Sequence, residues 1–446
     1  MPRLPRYLYL YLLVFHSHGY LSAATSGELK LSHEGTRILL DAELNISGYT
    51  HGRMESSTDM NEWSRIGALA LIDGRGAIEL VETLESPFSD SMFFRLITDN
   101  SASNVLELAT IPASYSGIVW PNHLATAEVI ASDNTPAANS VTDAAALLGR
   151  VLFYDKKLSA NYSLSCAACH QQAHGFSDPA ALSTGFDGGL TGRNSMGLTN
   201  SQFYERGSFF WDERAATLEE QVLEPIQNEV EMGLSLAELV SRVSAYEYYP
   251  QLFSDAFGDS SVSSERIALA LAQFVRSIVS TQSKYDLGEA SEFSNFTQQE
   301  LQGMDLFNGP RGRCNACHEG PNFVGSRIDN NGLEFPYIDR GVGAVTGREG
   351  AEGKFKMSSL RNIEMTAPYM HDGRFATLEE VIEHYGSEVV DNPNLGGALT
   401  HSDGSVRRPN FTASEQADLV AFLLTLTDHS LLDDPKFADP FAAGVQ

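Results

Sequence analysis

Two copies of one short pattern contain every cysteine of this 446-residue chain: Cys166-Ala-Ala-Cys169-His170 and Cys314-Asn-Ala-Cys317-His318. The spacing brings two thiols and an imidazole into one turn. This suits covalent attachment of haem, whose two vinyl groups meet the thiols while the histidine lies under the iron. One copy alone would also be compatible with a redox dithiol or half of a zinc site. Two copies that use every cysteine favour two c-type haems, with His170 and His318 as proximal ligands.

The sixth coordination position of each iron decides what such a protein can do, because an open position can bind peroxide and a filled one mainly passes electrons. In the segment that ends VIEHYG, Leu378, Val381, Ile382 and Tyr385 follow the helical spacing i, i+3, i+4, i+7. Tyr385 is therefore predicted to share the apolar face of a helix, with His384 pointing elsewhere. The spacing alone indicates a core tyrosine, and it leaves open whether Tyr385 or His384 binds a metal.

The first part of the chain predicts export. Residues 1–24 combine a basic start, Arg3 and Arg6, with the apolar run YLYLYLLVF and a small-residue end in which Ser22 and Ala24 suit cleavage. The run is shorter than the ~20 apolar residues of a membrane-spanning helix. We therefore expect a signal peptide, a periplasmic protein and no stable membrane span.

Short alternating stretches, separated by glycine and Asp-Gly, predict a β-sandwich over residues 25–97. Residues 55–67 and FFRL at 93–96 resemble small β-sandwich modules appended to secreted bacterial proteins. In that family the module has no chemistry of its own, and Trp63 is then a core anchor. Residues 98–140 are rich in Ser, Ala, Asn and Pro and read as a linker.

The pattern then becomes helical, with one CxxCH in each of two similarly ordered sets of helices. This predicts a multidomain chain with a mainly α di-haem region made of two cytochrome c-like domains, 141–295 and 296–430, followed by a tail, 431–446. Helices are expected at 144–155, 217–226, 236–243, 263–281, 297–307, 377–385 and 414–428.

The charge of the chain restricts its partners. The formal net charge is −28, and loss of Arg3 and Arg6 with the signal peptide would bring it to −30. Such a surface repels nucleic acid and attracts a basic protein, such as a cationic electron carrier. The acidity could equally serve solubility alone.

Over residues 115–430 the chain resembles the bacterial di-haem cytochrome c peroxidase family, including its MauG-type branch. The resemblance is carried by both haem motifs, CAACH and RCNACHEG, and by four further stretches: ALLGRVLFYDKKLS, TGRNS, FFWDERAATLEEQVLEPIQNEVEMG and FKMSSLRNIEMTAPYMHDGRFATLEE. It implies that peroxide reacts at the first haem and that the second haem stores and passes electrons.

The resemblance also implies roles for individual residues. Trp211 matches the tryptophan that relays electrons between the haems. Glu231 matches the distal acid that moves a proton between the peroxide oxygens, and Gln221 and Pro225 match other distal-pocket positions. The remaining matches are to a calcium site between the haems and to positions near the haem propionates: Asn194, Thr366 and Pro368 for calcium, and His371 and Arg361 for the propionates.

Two positions depart from the peroxidase members of the family. Members that need reductive activation have a capping histidine seven residues before the arginine of the RNS motif, where this chain has Phe186. Phenylalanine cannot bind iron, so we expect an open first haem. His174, four residues after His170, is a possible substitute for the capping histidine. On a helix continuing from CxxCH, however, it would lie on the proximal side.

The second departure is at the distal ligand of the second haem, a methionine in those members, seventeen residues after the proline of the TAPY-type motif. Counting seventeen from Pro368 gives Tyr385, and MauG-type enzymes have tyrosine there. A phenolate favours ferric and higher iron and lowers the potential.

These features predict an enzyme that reacts with hydrogen peroxide. It would draw electrons from a redox protein partner, either a small cytochrome or a protein whose Trp or Tyr side chains it modifies. The rivals are an electron-transfer cytochrome without peroxide chemistry, and a binding or anchoring protein built around the N-terminal module. The family resemblance also allows a homodimer.

Overall fold

The computed structural model describes residues 105–108 and 113–442 in full and, before them, only the backbone of eight strands. Arg3, Arg6, Ser22, Ala24 and Trp63 lie outside the described residues. One compact unit contains the N-terminal strands, and a second unit runs over residues 109–440. The strands of the first unit are β1 (Leu12–His16), β2 (Ser26–Glu34), β3 (Arg37–Asn45), β4 (His51–Ser57), β5 (Ser64–Ala70), β6 (Arg75–Gly76), β7 (Glu82–Thr83) and β8 (Phe93–Asp99).

These strands form two sheets. One has the order β1-β8-β4-β5, and the other has the order β2-β3-β6, with β7 also paired to β3. The hairpin of β2 and β3 runs in antiparallel register from Ser26 opposite Asn45 to Glu34 opposite Arg37. Most of the strands lie at the alternating stretches, and β1 and β4 are additions that the alternation did not predict. The sandwich packing and the signal peptide, whose segment includes β1, stay predictions.

The second unit is mainly helical, as predicted. Its helices are α1 (Ala127–Ala131), α2 (Asp143–Tyr154), α3 (Cys166–Cys169), α4 (Leu218–Gln221), α5 (Glu224–Gln227), α6 (Leu236–Ala245), α7 (Tyr249–Phe257), α8 (Ser264–Arg276), α9 (Lys284–Glu289), α10 (Gln298–Asn308), α11 (Val342–Thr346), α12 (Leu378–Glu383), α13 (Ala413–Leu424) and α14 (His429–Leu432). A π-helical turn, His384–Glu388, follows α12. Short 3-10 turns lie at Ala137–Asn139, Lys156–Leu158, Gln172–His174, Ser201–Phe203, Cys314–Ala316, Glu349–Ala351, Ile363–Met365 and Gly397–Leu399. A two-stranded antiparallel ladder joins β9 (Ile328–Asp329) to β10 (Phe355–Lys356).

Each half of this unit is built on a pair of crossing helices. In the first half α2 packs across α8, and a Cβ placed on Gly149 would lie 2.0 Å from the Ala270 carbonyl oxygen. In the second half α10 packs across α13, and a Cβ on Gly303 would lie 1.9 Å from the Asp418 carbonyl oxygen. Both crossings therefore require a residue without a side chain.

The aromatic core repeats along with these glycines. One turn after each glycine, Phe153 meets Phe274 with ring centres 5.2 Å apart, and Phe307 meets Phe422 at 5.1 Å. The interplanar angles, 58° and 55°, are also nearly equal. The two halves thus share one kind of helix crossing, and the division into cytochrome c-like domains at 141–295 and 296–430 stays a prediction.

The close approach at the first crossing gives a stability test. We expect Gly149→Ala to lower the free energy of unfolding by about 1–3 kcal/mol, because overpacking against the α8 backbone outweighs the gain in helix propensity. Urea unfolding followed by circular dichroism measures this difference. Gly350→Ala is the control, since Gly350 lies in a 3-10 turn with no atom within 4 Å of its added Cβ. Equal stability of Gly149→Ala and wild type would contradict the packing account.

None of the helices in the described part of the chain has both the length and the apolar character needed to cross a membrane.

Candidate functional site

The two CxxCH motifs present their histidines in the same way. His170 follows α3, and its Nδ1 lies 2.9 Å from the carbonyl oxygen of Phe176. His318 follows the turn at Cys314–Ala316, and its Nδ1 lies 3.3 Å from the carbonyl oxygen of Phe323. A ring that donates from Nδ1 keeps a lone pair on Nε2 for a metal. Burial lowers the pKa of His170 and lowers that of His318 to about 4, so both rings are neutral, as a ligand must be.

The four thiols fit haem attachment better than the other interpretations. None of them forms a disulfide. Burial raises the pKa of Cys166 and of Cys314 to about 12, which works against the thiolate that a redox dithiol needs. Among the described residues, no group of three or more His, Cys, Asp or Glu side chains is arranged to hold a metal ion. Neither CxxCH therefore has the further ligands that a zinc site needs.

The helix expected to continue past the first CxxCH is absent, which corrects the placement of His174. α3 ends at Cys169, and His170 leaves the helical region with φ −126° and ψ 74°. His174 closes a separate 3-10 turn that ends at Gly175 in the left-handed region, φ 62°. The chain turns there because the Phe176 carbonyl must reach the His170 ring.

A cavity of about 270 Å³ lies against the second CxxCH. Cys314, Cys317 and His318 line it, together with Tyr385 from the π-helical turn. The cavity continues toward the first half, where its walls include Trp211. Other predicted site residues also line it: Asn194, Arg361, Thr366, Pro368 and His371.

The π-helical turn separates Tyr385 from His384. Tyr385 faces the cavity, whereas His384 is buried outside its lining with Nε2 2.9 Å from the Asn331 carbonyl oxygen. Burial raises the pKa of Tyr385, so its phenol ionises here only against a metal ion. Irregular turns of this kind often occur at functional sites. The geometry therefore favours Tyr385 over His384 as the group that faces the second haem.

Trp211 connects several of the predicted positions. Its indole N–H donates to the Asn194 carbonyl oxygen at 2.8 Å, and its ring centre lies 6.5 Å from that of His371. The Asn194 N–H donates to the His371 carbonyl oxygen at 2.8 Å. His371 stacks on Phe355 with ring centres 3.9 Å apart. The tryptophan is thus fixed in the wall between the two halves.

Arg361 is committed to protein partners. Its guanidinium forms a two-point ion pair with Asp286, at 2.8 Å for both nitrogens, and its side chain is 0% exposed. The remaining N–H donors reach the carbonyl oxygens of Ser280 and Pro321. Arg361 lines the cavity, but its guanidinium N–H groups all bond to protein partners. The contact with a haem propionate that the resemblance implied would therefore require Arg361 to exchange these partners.

Of the distal candidates in the first half, Glu231 lies near the first CxxCH. Glu231 is half-buried, and its carboxylate is close enough to contribute to the raised pKa of both Cys166 and Cys169. Burial also raises the pKa of Glu231, against the opposing charge of Arg214. Gln221 ends α4, and Pro225 lies in the first turn of α5.

Phe186 occupies the loop position at which a capping histidine would stand. Its N–H donates to the Glu231 carbonyl oxygen at 3.0 Å, and its own carbonyl accepts from Asn161 Nδ2 at 2.7 Å. The ring lies against Gly233, where an added Cβ would come within 2.5 Å. The loop is therefore held beside Glu231 by a residue with no ligand atom.

An internal repeat, which was not among the predictions above, relates the two distal sides. Residues 211–220, WDERAATLEE, align with residues 371–380, HDGRFATLEE. Thr217 and Thr377 cap the helices that follow, and the bridges Phe209–Ala215 and Tyr369–Phe375 close the same turn. Fourteen residues after Trp211 and His371 stand Pro225 and Tyr385. The second half thus offers a phenol at the position where the first offers a proline with no donor atom.

These sites are typical of an oxidoreductase with two c-type haems, in which a tyrosine faces the cavity at the second CxxCH. Comparison with known proteins agrees. Residues 143–291 match the family model of di-haem cytochrome c peroxidase. The chain is 33% identical over 297 residues to the methylamine utilization protein MauG of Methylophilus methylotrophus, covering 66% of this chain and 86% of that protein.

Two further relatives extend the comparison. Cytochrome c551 peroxidase of Nitrosomonas europaea is 35% identical over 298 residues, covering 66% of this chain and 81% of that protein. The crystal structure of a MauG-like protein associated with microbial copper homeostasis matches with 36% identity and a TM-score of 0.61, covering 69% of this chain and 96% of the other. The chain belongs to the di-haem cytochrome c peroxidase and MauG family. It is a peroxidase-type oxidoreductase with two c-type haems, and its two CxxCH motifs are the residues that fit their attachment.

Proposed function

We propose that this protein reduces hydrogen peroxide beside the first CxxCH and draws the electrons, through Trp211 and the second half, from a redox protein partner. The observation that carries the proposal is the asymmetry of the repeat, Pro225 against Tyr385. A proline cannot occupy a coordination position, which leaves room for peroxide on one side only.

The bound haems would supply the redox chemistry, accepting oxidising equivalents from peroxide and holding them. The protein supplies the proton transfers and the positions. Glu231, with its raised pKa, can take a proton from one peroxide oxygen and deliver it to the other. Gln221, four residues before Pro225, would orient the peroxide. Trp211, fixed by Asn194, lies where electrons can pass between the halves.

The partner would be a protein whose Trp or Tyr side chains are oxidised, as in the MauG-type branch, because a phenolate from Tyr385 gives a low-potential second haem. A small cytochrome as electron donor is the second candidate, and it is supported by the peroxidase of Nitrosomonas europaea among the relatives.

Further features belong to the same proposal. The protein would be exported to the periplasm by residues 1–24, and residues 25–97 would fold as a β-sandwich without chemistry of its own. One calcium ion would bind at Asn194, Thr366 and Pro368, which line the same cavity. Asn194 Nδ2 donates to the carbonyl oxygens of Ala180 and Ala181, which leaves its Oδ1 for the cation.

Electron paramagnetic resonance of the isolated ferric protein tests the proposed function. We expect one high-spin signal, from the open site, and one low-spin signal, with prompt loss of the high-spin signal when peroxide is added. Two low-spin signals that peroxide leaves unchanged would identify an electron-transfer cytochrome instead. A protein without residues 25–110 should respond in the same way, and loss of the response would show that the N-terminal module takes part.

A further inference from the structure

A group of four side chains outside the predicted site joins Trp211 to the surface. Tyr204 is 1% exposed, and its phenol donates to Oε1 of Glu213. The same carboxylate accepts from Nε and Nη2 of Arg206, both at 2.6 Å. The side chain of Glu213 is 6% exposed and that of Arg206 is 41% exposed. The carboxylate therefore lies between a buried phenol and a cation in contact with solvent.

Lys356 connects this group to Trp211. Its backbone N–H donates to the Trp211 carbonyl oxygen at 2.8 Å. Its Nζ lies 4.0 Å from the centre of the Tyr204 ring and 4.5 Å from that of Phe209. Lys356 and Trp211 both line the cavity. Lys356 thus contacts both Trp211, through its backbone, and the buried Tyr204, through its side chain.

The backbone at Glu213 indicates that the carboxylate is needed there. Glu213 has φ 54°, a left-handed conformation that favours glycine. The repeat has a glycine at the equivalent position, Gly373, with φ 67°. A strained non-glycine residue persists where its side chain has a use, and such positions cluster at functional sites. The described hydrogen bonds of this carboxylate go to Tyr204 and Arg206.

The surroundings of Tyr204 restrict how it can be oxidised. Burial, followed by the hydrogen bond to Glu213, raises the pKa of Tyr204, so the phenol keeps its proton at rest. Burial lowers the pKa of Lys356 to about 7, and its protonated form above the ring opposes a cationic oxidised form. Oxidation of this phenol therefore requires that its proton leave together with the electron, and Glu213 is the base in contact with it.

We infer that Tyr204 is a redox-active tyrosine that receives the oxidising equivalent from Trp211 and passes its proton to Glu213. The inference rests on the proposed function, which supplies peroxide as the oxidant. Tyr204 gives one electron to one-electron-oxidised Trp211, which returns to the neutral indole. The phenol O–H bond breaks, the proton binds Glu213 Oε1, and a neutral phenoxyl radical remains.

The site would be reset by a one-electron donor protein. One electron reduces the phenoxyl radical, and the proton returns from Glu213. Lys356 is a positioning residue in this scheme, since it holds the Tyr204 ring against the Trp211 backbone.

Freeze-quench electron paramagnetic resonance of the peroxide-treated holoprotein tests the inference. Wild type made with ring-deuterated tyrosine should show a narrowed organic-radical signal. Tyr204→Phe should lose the tyrosyl signal, and so should Glu213→Gly, which introduces the residue of the repeat and suits the backbone. Tyr248→Phe is the matched control, because Tyr248 is also buried and donates to a carboxylate, Asp155, at 2.7 Å.

The optical spectrum of the haems, recorded on the same samples, separates two kinds of failure. A wild-type protein whose haem spectrum does not respond to peroxide would remove the proposed function and this inference together. A normal haem response with a radical signal that deuteration does not narrow, or that Tyr204→Phe retains, would overturn the inference alone. Loss of the tyrosyl signal in Tyr248→Phe, with retention in Tyr204→Phe, would move the site to the Asp155 cluster and overturn it as well.

Discussion

Tyr385→Met is expected to raise the midpoint potential of the second haem by roughly 0.2 V, a fraction of the ~0.8 V range over which axial ligands tune haem potentials. The reason is the exchange of an anionic phenolate, which stabilises ferric iron, for a neutral thioether. Tyr385 and His318 line the same cavity, so a methionine at position 385 would face that cavity as well. Spectroelectrochemical titration of the purified protein measures the shift.

His384→Gln is the matched control for this prediction. The two residues are adjacent, but His384 faces the Asn331 carbonyl oxygen and lies outside the cavity lining. Its replacement should leave the potential and the optical spectrum of the second haem close to those of wild type. A shift in His384→Gln with none in Tyr385→Met would assign the ligand to the histidine.

Glu231→Gln is expected to lower the second-order rate constant with hydrogen peroxide by about 10²–10⁴-fold, the usual size of a general acid–base contribution. The amide keeps the volume but cannot carry the proton between the two oxygens. Stopped-flow absorbance of the haems gives the rate constant. The matched control is Glu229→Gln, because Glu229 is exposed and only two residues away.

The pH dependence of the same rate constant gives a second measurement. Burial raises the pKa of Glu231, and Glu224 adds to this effect while Arg214 opposes it. Because the unprotonated carboxylate must accept the proton of peroxide, the wild-type rate should fall as the pH is lowered through this raised pKa. Glu231→Gln should lack that dependence. A variant that keeps both the rate and the pH profile would exclude Glu231 as the proton carrier.

Local patterns in the sequence were sufficient to predict the main helices and the haem attachment residues. The helices around Gly149 and Gly303 follow from apolar periodicity, and the haem attachment follows from the spacing of Cys166, Cys169 and His170. These features depend on neighbours along the chain. The repeat that aligns residues 211–220 with residues 371–380 is equally local, and an alignment of the two halves by sequence alone places Pro225 opposite Tyr385.

Contacts between distant parts of the chain could not be predicted in this way. Arg361 pairs with Asp286, seventy-five residues away, which commits donors that the family match had implied for propionates. Lys356 meets Tyr204 only because the two halves close around Trp211. The break after Cys169 was missed because it depends on a carbonyl six residues beyond His170, in a turn that periodicity does not encode.

The helix crossings at Gly149 and Gly303 pack the two halves with residues other than those predicted for the reaction. Each half is held together by a helix contact that involves Gly149 or Gly303 and none of the side chains that face peroxide or partner. In a duplicated frame of this kind, one copy can change its distal residue without altering either helix crossing, because that residue belongs to neither. Under the proposed function, the halves would specialise, one for the oxidant and one for charge storage, through substitutions at only a few positions, such as 225 and 385.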